Sequence, residues 1–138
     1  VGSISIGFFN RMNDDKTLTD QLSVYNTKPA IFTTDPAPLD AVLPYIVCPP
    51  GYSDLPFDTF STQGREIVRD IRCYAPKTGS VAAVEAIAER VRTLFHRSTI
   101  SVTGYALVRC WVDNILFGPE EIDAYGLIVT VRVHLEAV

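Results

Sequence analysis

Between residues 127 and 136 the chain alternates without a break. Leu127, Val129, Val131, Val133 and Leu135 occupy one set of positions, and Thr130, Arg132, His134 and Glu136 occupy the other. Successive side chains of a β-strand point to opposite faces, so a period of two predicts a strand with one face on a core and one facing out. A helix cannot bury that pattern. The strand also needs neighbours for its backbone N–H and C=O groups, so the stretch commits the chain to an antiparallel sheet with one covered face.

Two further long strands are legible. Residues 104–112 alternate Tyr105, Leu107, Arg109 and Trp111 against Ala106, Val108, Cys110 and Val112. Residues 64–74, "GREIVRDIRCY", place Ile67, Ile71 and Cys73 on one face with Arg69. Val68 and Tyr74 lie on the other with Asp70 and Arg72. Such mixed faces suit a strand whose outer side meets a partner or water. Residues 30–33 and 45–48 read as short strands, and the prolines around the first mark it as an edge.

Helical spacing appears twice. Ile4, Phe8, Met12, Leu18 and Leu22 recur at about every fourth position across 3–22, read as one helix or as two, since Asn13-Asp14-Asp15 interrupts the stretch and offers N-cap residues. In "GSVAAVEAIAERVRTLFHR", Val81, Val84, Ile87, Ala88, Val91, Leu94 and Phe95 form one stripe. Ser80 is the expected N-cap there, and His96 and Arg97 complement the dipole in the last turn. The expectation is a single α+β domain over 1–138: an antiparallel sheet of about four strands with two helices packed on one face, plus short edge strands.

At 138 residues the chain is long enough for one hydrophobic core. No apolar run reaches the roughly 18 residues that cross a bilayer, so no membrane is expected. The first dozen residues lack the order of a signal peptide, and the chain is expected to stay inside the cell. Cys48, Cys73 and Cys110 are odd in number and far apart, each inside an apolar run. They read as buried, reduced side chains rather than metal ligands or a disulfide framework. Twelve Lys and Arg against 16 Asp and Glu leave a formal charge of −4, with no basic run to hold phosphates.

Motifs for chemistry are missing. There is no G-x-S-x-G, no phosphate loop, no G-x-G-x-x-G and no H-E-x-x-H. A Cys48–His134 or Cys110–His96 dyad is conceivable only if folding brings the partners together, and each of those residues has a duller reading. The expectation is a protein that is not an enzyme and uses no cofactor.

What stands out instead is apolar material between the elements. The 51–62 segment carries Tyr52, Leu55, Phe57 and Phe60 among Asp54, Asp58 and small polar residues. The connection after residue 112 carries Ile115, Leu116 and Phe117, followed by Glu120 and Glu121. Either these fold back over their own sheet, or they dock on neighbouring chains, which aromatic side chains among small polar ones favour. Arg65, Arg69, Arg72 and Arg109 are candidates for bridging such neighbours. The interface set is Tyr52, Asp54, Leu55, Phe57, Asp58, Phe60, Arg69, Arg72, Ile115, Leu116, Phe117, Glu120 and Glu121.

The order of these parts carries a resemblance. A helix leads to a short strand, a Pro-rich turn and "LPYIV". A polar-aromatic loop, a strand ending "RCYAPKTG", the helix "VAAVEAIAERVRTLF" and the pair "ALVRCWVD" and "GLIVTVRVHLEA" follow. Over nearly its whole length the chain resembles the tail completion, or tail terminator, proteins of long-tailed bacteriophages and phage-like particles. That resemblance implies a structural virion protein, made in the host cytoplasm and assembled into a ring, usually a hexamer, at the head-proximal end of the tail tube. The ring ends tube polymerisation and joins the tail to the neck. Its implied partners are further copies of itself, the tail tube protein and a neck or connector protein. DNA passes through the lumen without specific binding, which an anionic wall permits. The alternatives are a head–tail connector of the adaptor or stopper kind and, further off, a cytosolic small-ligand-binding domain.

Overall fold

A computed structural model describes residues 2–33, 38, 40–49, 53–56, 63–76, 81–97, 99–100, 104–117 and 124–137. Its elements in chain order are α1 (Gly2–Asn13), α2 (Lys16–Thr19), β1 (Val24–Tyr25), β2 (Lys28–Pro29), β3 (Ile31–Phe32), β4 (Tyr45–Val47), β5 (Ser53–Pro56), β6 (Gly64–Pro76), α3 (Ala82–Phe95), β7 (Tyr105–Phe117) and β8 (Ala124–Ala137).

The alternating C-terminal strand is the centre of the sheet. β8 pairs antiparallel with β6 from Gly64↔Glu136 to Pro76↔Ala124, and on its other side with β7 from Tyr105↔Ala137 to Phe117↔Leu127. The far edge of β6 is divided between two short strands. β4 pairs with Arg72 to Tyr74, and β5 with Arg65 to Val68. β3 then adds to β4 in parallel. The order is β3-β4-β6-β8-β7 with β5 beside β6, and β1 and β2 form a separate antiparallel ribbon. The α+β class stands. The expected antiparallel sheet of about four strands with short edge strands is a sheet of six: the short strands at 30–33 and 45–48 are present as β3 and β4, the sheet is mixed because β3 joins β4 in parallel, and β5 adds on the edge of β6 that β4 leaves open.

All three helices lie on one face. The first helical stretch, open in the sequence between one helix and two, is two, divided at Asp14-Asp15. Asp15 caps α2 by accepting from Leu18 N–H at 2.9 Å. Ile4, Phe8, Met12, Leu18 and Leu22 are all buried, as are Val84, Ile87, Ala88, Val91, Leu94 and Phe95 of α3. They pack on Ile67, Ile71 and Cys73 of β6 and on Leu127, Val129, Val131, Val133 and Leu135 of β8, all in one cluster. Each buried aliphatic side chain of this kind stabilises the fold by roughly 2 kcal/mol. Phe8 and Phe95 meet edge-on at 5.1 Å between centroids, and Arg11 Nε donates to Leu94 O at 3.1 Å, tying α1 to the last turn of α3.

The opposite face has its own smaller core at one end. Ala30, Phe32, Val47, Tyr74 and Ala124 are buried there beneath Tyr25, Leu43 and Tyr45. The rings of Tyr25, Phe32, Tyr45 and Tyr74 follow one another at 5.2, 5.8 and 5.4 Å. Ser23 supports this cover, its one hydroxyl hydrogen shared between the carbonyls of Val42 and Pro44.

Three expectations change. The segment Ile115–Phe117 is not loop: β7 continues to Phe117, because β8 begins at Ala124 and presents Leu127 to Val129 as pairing partners. The faces of β7 are not a simple alternation either. Register shifts between Leu107 and Arg109 and between Val112 and Asn114 insert an extra residue at Val108 and at Asp113. Each shift inverts the phase, so Tyr105 and Leu107 pack against the same core as Cys110, Val112 and Ile115. Finally, the N-cap of α3 is Val81 with no side-chain cap bond, and Ser80 lies outside the described residues. Among the described residues no helix is long and apolar enough to cross a membrane.

Candidate functional site

Away from its aromatic end, the outer face of the three long strands carries a connected polar surface. The registers align Glu66 with His134 and His134 with Arg109, and the next row aligns Val68, Arg132 and Trp111. Arg132 donates to both neighbours: Nη1 to Glu66 Oε1, and Nε and Nη2 to Asp113 Oδ2 at 3.0 and 2.9 Å. Asp113 reaches it because it is the extra residue of a bulge, and bulges re-aim side chains. His134 Nε2 lies 2.7 Å from Glu66 Oε2. An ionised carboxylate only accepts, so that nitrogen carries the hydrogen. The hydrogen bond from His134, with support from Arg132, holds the Glu66 carboxyl below the usual carboxylate range.

Aromatic side chains complete the surface. Trp111 meets the His134 ring edge-on at 5.3 Å, and the Arg109 guanidinium lies 3.7 Å from the centre of the Trp111 ring. One row further on, Thr130 Oγ1 donates to Asp70 Oδ1 at 3.1 Å. Half-exposed ion pairs of this kind each contribute at most about 1 kcal/mol. Their consequence is order: long side chains that would sample many rotamers are held in one arrangement on the outer face of the sheet.

The residues expected at an interface divide sharply. Tyr52, Phe57, Asp58, Phe60, Glu120 and Glu121 lie outside the described residues. Asp54 and Leu55 fall on β5, opposite Ile67 and Glu66, so the 51–62 stretch is not loop throughout. Phe117 ends β7 opposite Leu127. Leu116 is 55% exposed, whereas Ile115 packs against the main core. Arg72 is partly buried on the outer face between Val47 and Ile128. Arg69 is a correction. At 2% exposure it lies beneath α1, with Nη1 donating to Ser5 Oγ at 2.8 Å and its guanidinium 5.8 Å from the Phe8 ring centre. It anchors the helix to β6 and presents nothing to a neighbouring chain. Arg65 is likewise engaged, donating to the Tyr105 hydroxyl at 3.0 Å.

Sequence reasoning missed the Glu66–Arg132–Asp113 group and the Arg109–Trp111 stack. A signal existed in the polar set of β8, but its partners depend on register across three strands and on a bulge that no spacing announces.

The conceivable dyads are not built. His134 sits on the outer face bonded to Glu66, while Cys48 is in the helix-side core. Cys110 and His96 border one cleft, but Val112 N–H donates to His96 Nδ1 at 3.2 Å, and burial pushes the Cys110 thiol up to about 12. Burial likewise raises Cys48 to about 11 and Cys73 further. Protonated thiols are poor nucleophiles. Among the described residues, no cluster of three or more His, Cys, Asp or Glu is arranged to hold a metal ion.

Comparison with known proteins bears on the fold. No family model matches the chain, and no curated protein sequence matches it. Among solved structures, it superposes on a chain of a structure described as the virion of a native gene transfer agent (GTA) particle, with a TM-score of 0.79 and 16% sequence identity. The correspondence covers 99% of this chain and 96% of that one. Coverage so nearly complete on both sides establishes a shared fold from end to end.

Proposed function

We propose that this protein is a structural component of a phage-like particle, and that it forms the ring closing the head-proximal end of the tail tube and joining it to the neck. The observation that carries this reading is the full-length likeness in fold to a chain of a gene transfer agent virion. It supports a role in such a particle at a level that motif matching could not reach. The narrower role, tail terminator, comes from the order of elements in the sequence, and a surface suited to contact rather than catalysis supports it. The charged and aromatic groups of the outer face are held in place. Preorganised groups of that kind favour specific association, since little freedom is lost when a partner arrives. The work is geometric. A heterologous contact that closes by rotation gives a ring, and a ring whose upper face differs from the tube's own admits no further subunit. The partners are other copies of the chain, the tube protein and a neck protein.

Electron microscopy of particles assembled without this protein tests the reading. Overlong or headless tails support it. Tails of normal length beside filled heads that leak DNA would assign the protein to the connector instead.

A further inference from the structure

β7 ends the sheet order, and the end of α3 is fastened along it by hydrogen bonds from His96 and Arg97. Arg97 N–H donates to Cys110 O at 2.8 Å. Val112 N–H donates to His96 Nδ1 at 3.2 Å. The strand's acceptor and donor are thus met much as a neighbouring strand would meet them, except that an imidazole nitrogen stands where a strand would offer a carbonyl oxygen. A carbonyl accepts at any pH. An imidazole nitrogen accepts only while it carries no proton.

We propose that His96 is a pH-sensitive latch: its neutral ring holds the end of α3 on the β7 edge, and acid releases it. With Nδ1 accepting, the neutral ring carries its hydrogen on Nε2, so the next proton can enter only at Nδ1. That proton sets one N–H against another and leaves the Val112 amide without its acceptor. The dipole at the C-terminal end of α3 favours a cation, but an unsatisfied amide at a half-buried site costs more than that exposed charge gains.

The charged surroundings give an imidazolium no partner. On α3, Arg92 lies one turn back and Glu89 two turns back, roughly 10 Å away at 1.5 Å per residue. Arg97 follows in the chain, and Arg109 and the protonated Cys110 thiol border the same cleft as His96. Arg11 of α1 is bonded to Leu94 O. Asp15 at the α2 cap and Asp113 of β7 are engaged by Arg90 and Arg132. The charged side chains of β8 lie on the opposite face of the sheet. Residues 98–104 contain no ionisable side chain.

Backbone strain favours the release. Arg97 has φ 55°, in the left-handed region that residues other than glycine keep only where their surroundings hold them. Its own N–H to Cys110 O bond supplies that hold, and the ring bond stands beside it. Release leaves Cys110 O and Val112 N–H open, and unpaired groups on a strand edge are what another chain adds to. The latch keeps them occupied at neutral pH, whatever particle the protein serves.

Hydrogen exchange followed by NMR tests it, with protection factors corrected for the intrinsic effect of pH. At pH 7.5 the wild-type His96 ring is expected as the Nε2–H tautomer, with the Val112 amide protected. At pH 5.5 the protection of Val112 is expected to fall at least tenfold while that of Val129, in the middle of the sheet, holds. His96→Asn places an amide oxygen where Nδ1 stands and should keep Val112 protected at both pH values, whereas His96→Ala should lose that protection at both. An Nδ1–H tautomer at pH 7.5, equal protection of Val112 at the two pH values in the wild type, or a parallel loss at Val129 overturns the proposal. So does a protected Val112 in His96→Ala, or a Val112 in His96→Asn that follows pH as the wild type does.

Discussion

Arg90 forks onto Asp15, with Nε 2.8 Å from Oδ2 and Nη2 2.7 Å from Oδ1, although the two residues lie 75 positions apart. Asp15 is also the N-cap of α2, so one carboxylate both starts a short helix and fastens it to α3. A helix of four residues has little stability of its own and depends on such attachments. Asp15→Ala is expected to destabilise the protein by about 1 kcal/mol through the cap alone, and Arg90→Ala by less. Urea denaturation of the double-mutant cycle should show Asp15→Ala costing less once Arg90 is gone. Strict additivity would mean that the pair is incidental.

Acid sensitivity follows from two carboxylates. The hydrogen bond from Arg90 holds the Asp15 carboxyl below its ordinary value, and His134 with Arg132 does the same for Glu66. A folded-state pKa below the unfolded one means that the native state binds the proton less well. The stabilisation is therefore complete above about pH 4 to 5 and fades as pH falls through the lower, folded values. Denaturation midpoints measured from pH 7 to pH 3 should fall more steeply for wild type than for Glu66→Gln or Asp15→Asn. Parallel curves would contradict the assignment.

Val131 is fully buried on the helix side of β8, and its neighbour Arg132 faces out. Val131→Asp should leave an unpaired carboxylate in an apolar core, at a cost of several kcal/mol, and abolish soluble folded protein. Arg132→Asp, one position along, should keep the fold with at most a small loss of melting temperature. A folded Val131→Asp protein would invert the faces of the sheet.

On the assembly reading, Phe57 and Phe60 serve contacts between chains. Phe57→Ser/Phe60→Ser is expected to leave the melting temperature of the isolated protein unchanged while preventing incorporation into particles, scored by microscopy and by the protein content of purified particles. A large drop in melting temperature would instead assign both rings to the chain's own core.

Much of the architecture could be read directly. The alternation of β8, the stripe of α3 apart from half-buried Val81, and the apolar positions of the N-terminal helical region match their burial, while the division of that region into two helices was left open. The candidate site was legible only in part. Thr130, Arg132 and His134 were correctly assigned to an outer face, but Glu66, Asp113, Arg109 and Trp111 join them through pairing across β6, β8 and β7. Arg69 shows the opposite case. Its place among Ile67, Ile71 and Cys73 put it on the covered face, yet a charged residue there reads as a contact for another chain until Ser5 and Phe8 are found above it.

Local pattern therefore determined the long strands β6 and β8 and the helical stripes, with the face of each that turns inward, because burial of apolar side chains at a period of two or 3.6 depends only on neighbours in the chain. Tertiary structure alone decided the bulges at Val108 and Asp113, the extension of β7 through Ile115 to Phe117, the strand at Ser53–Pro56 and the partners of every arginine. Those features are set by which backbone edge is left open and by which strand lies opposite. Edges and registers come into existence only once distant segments have packed together.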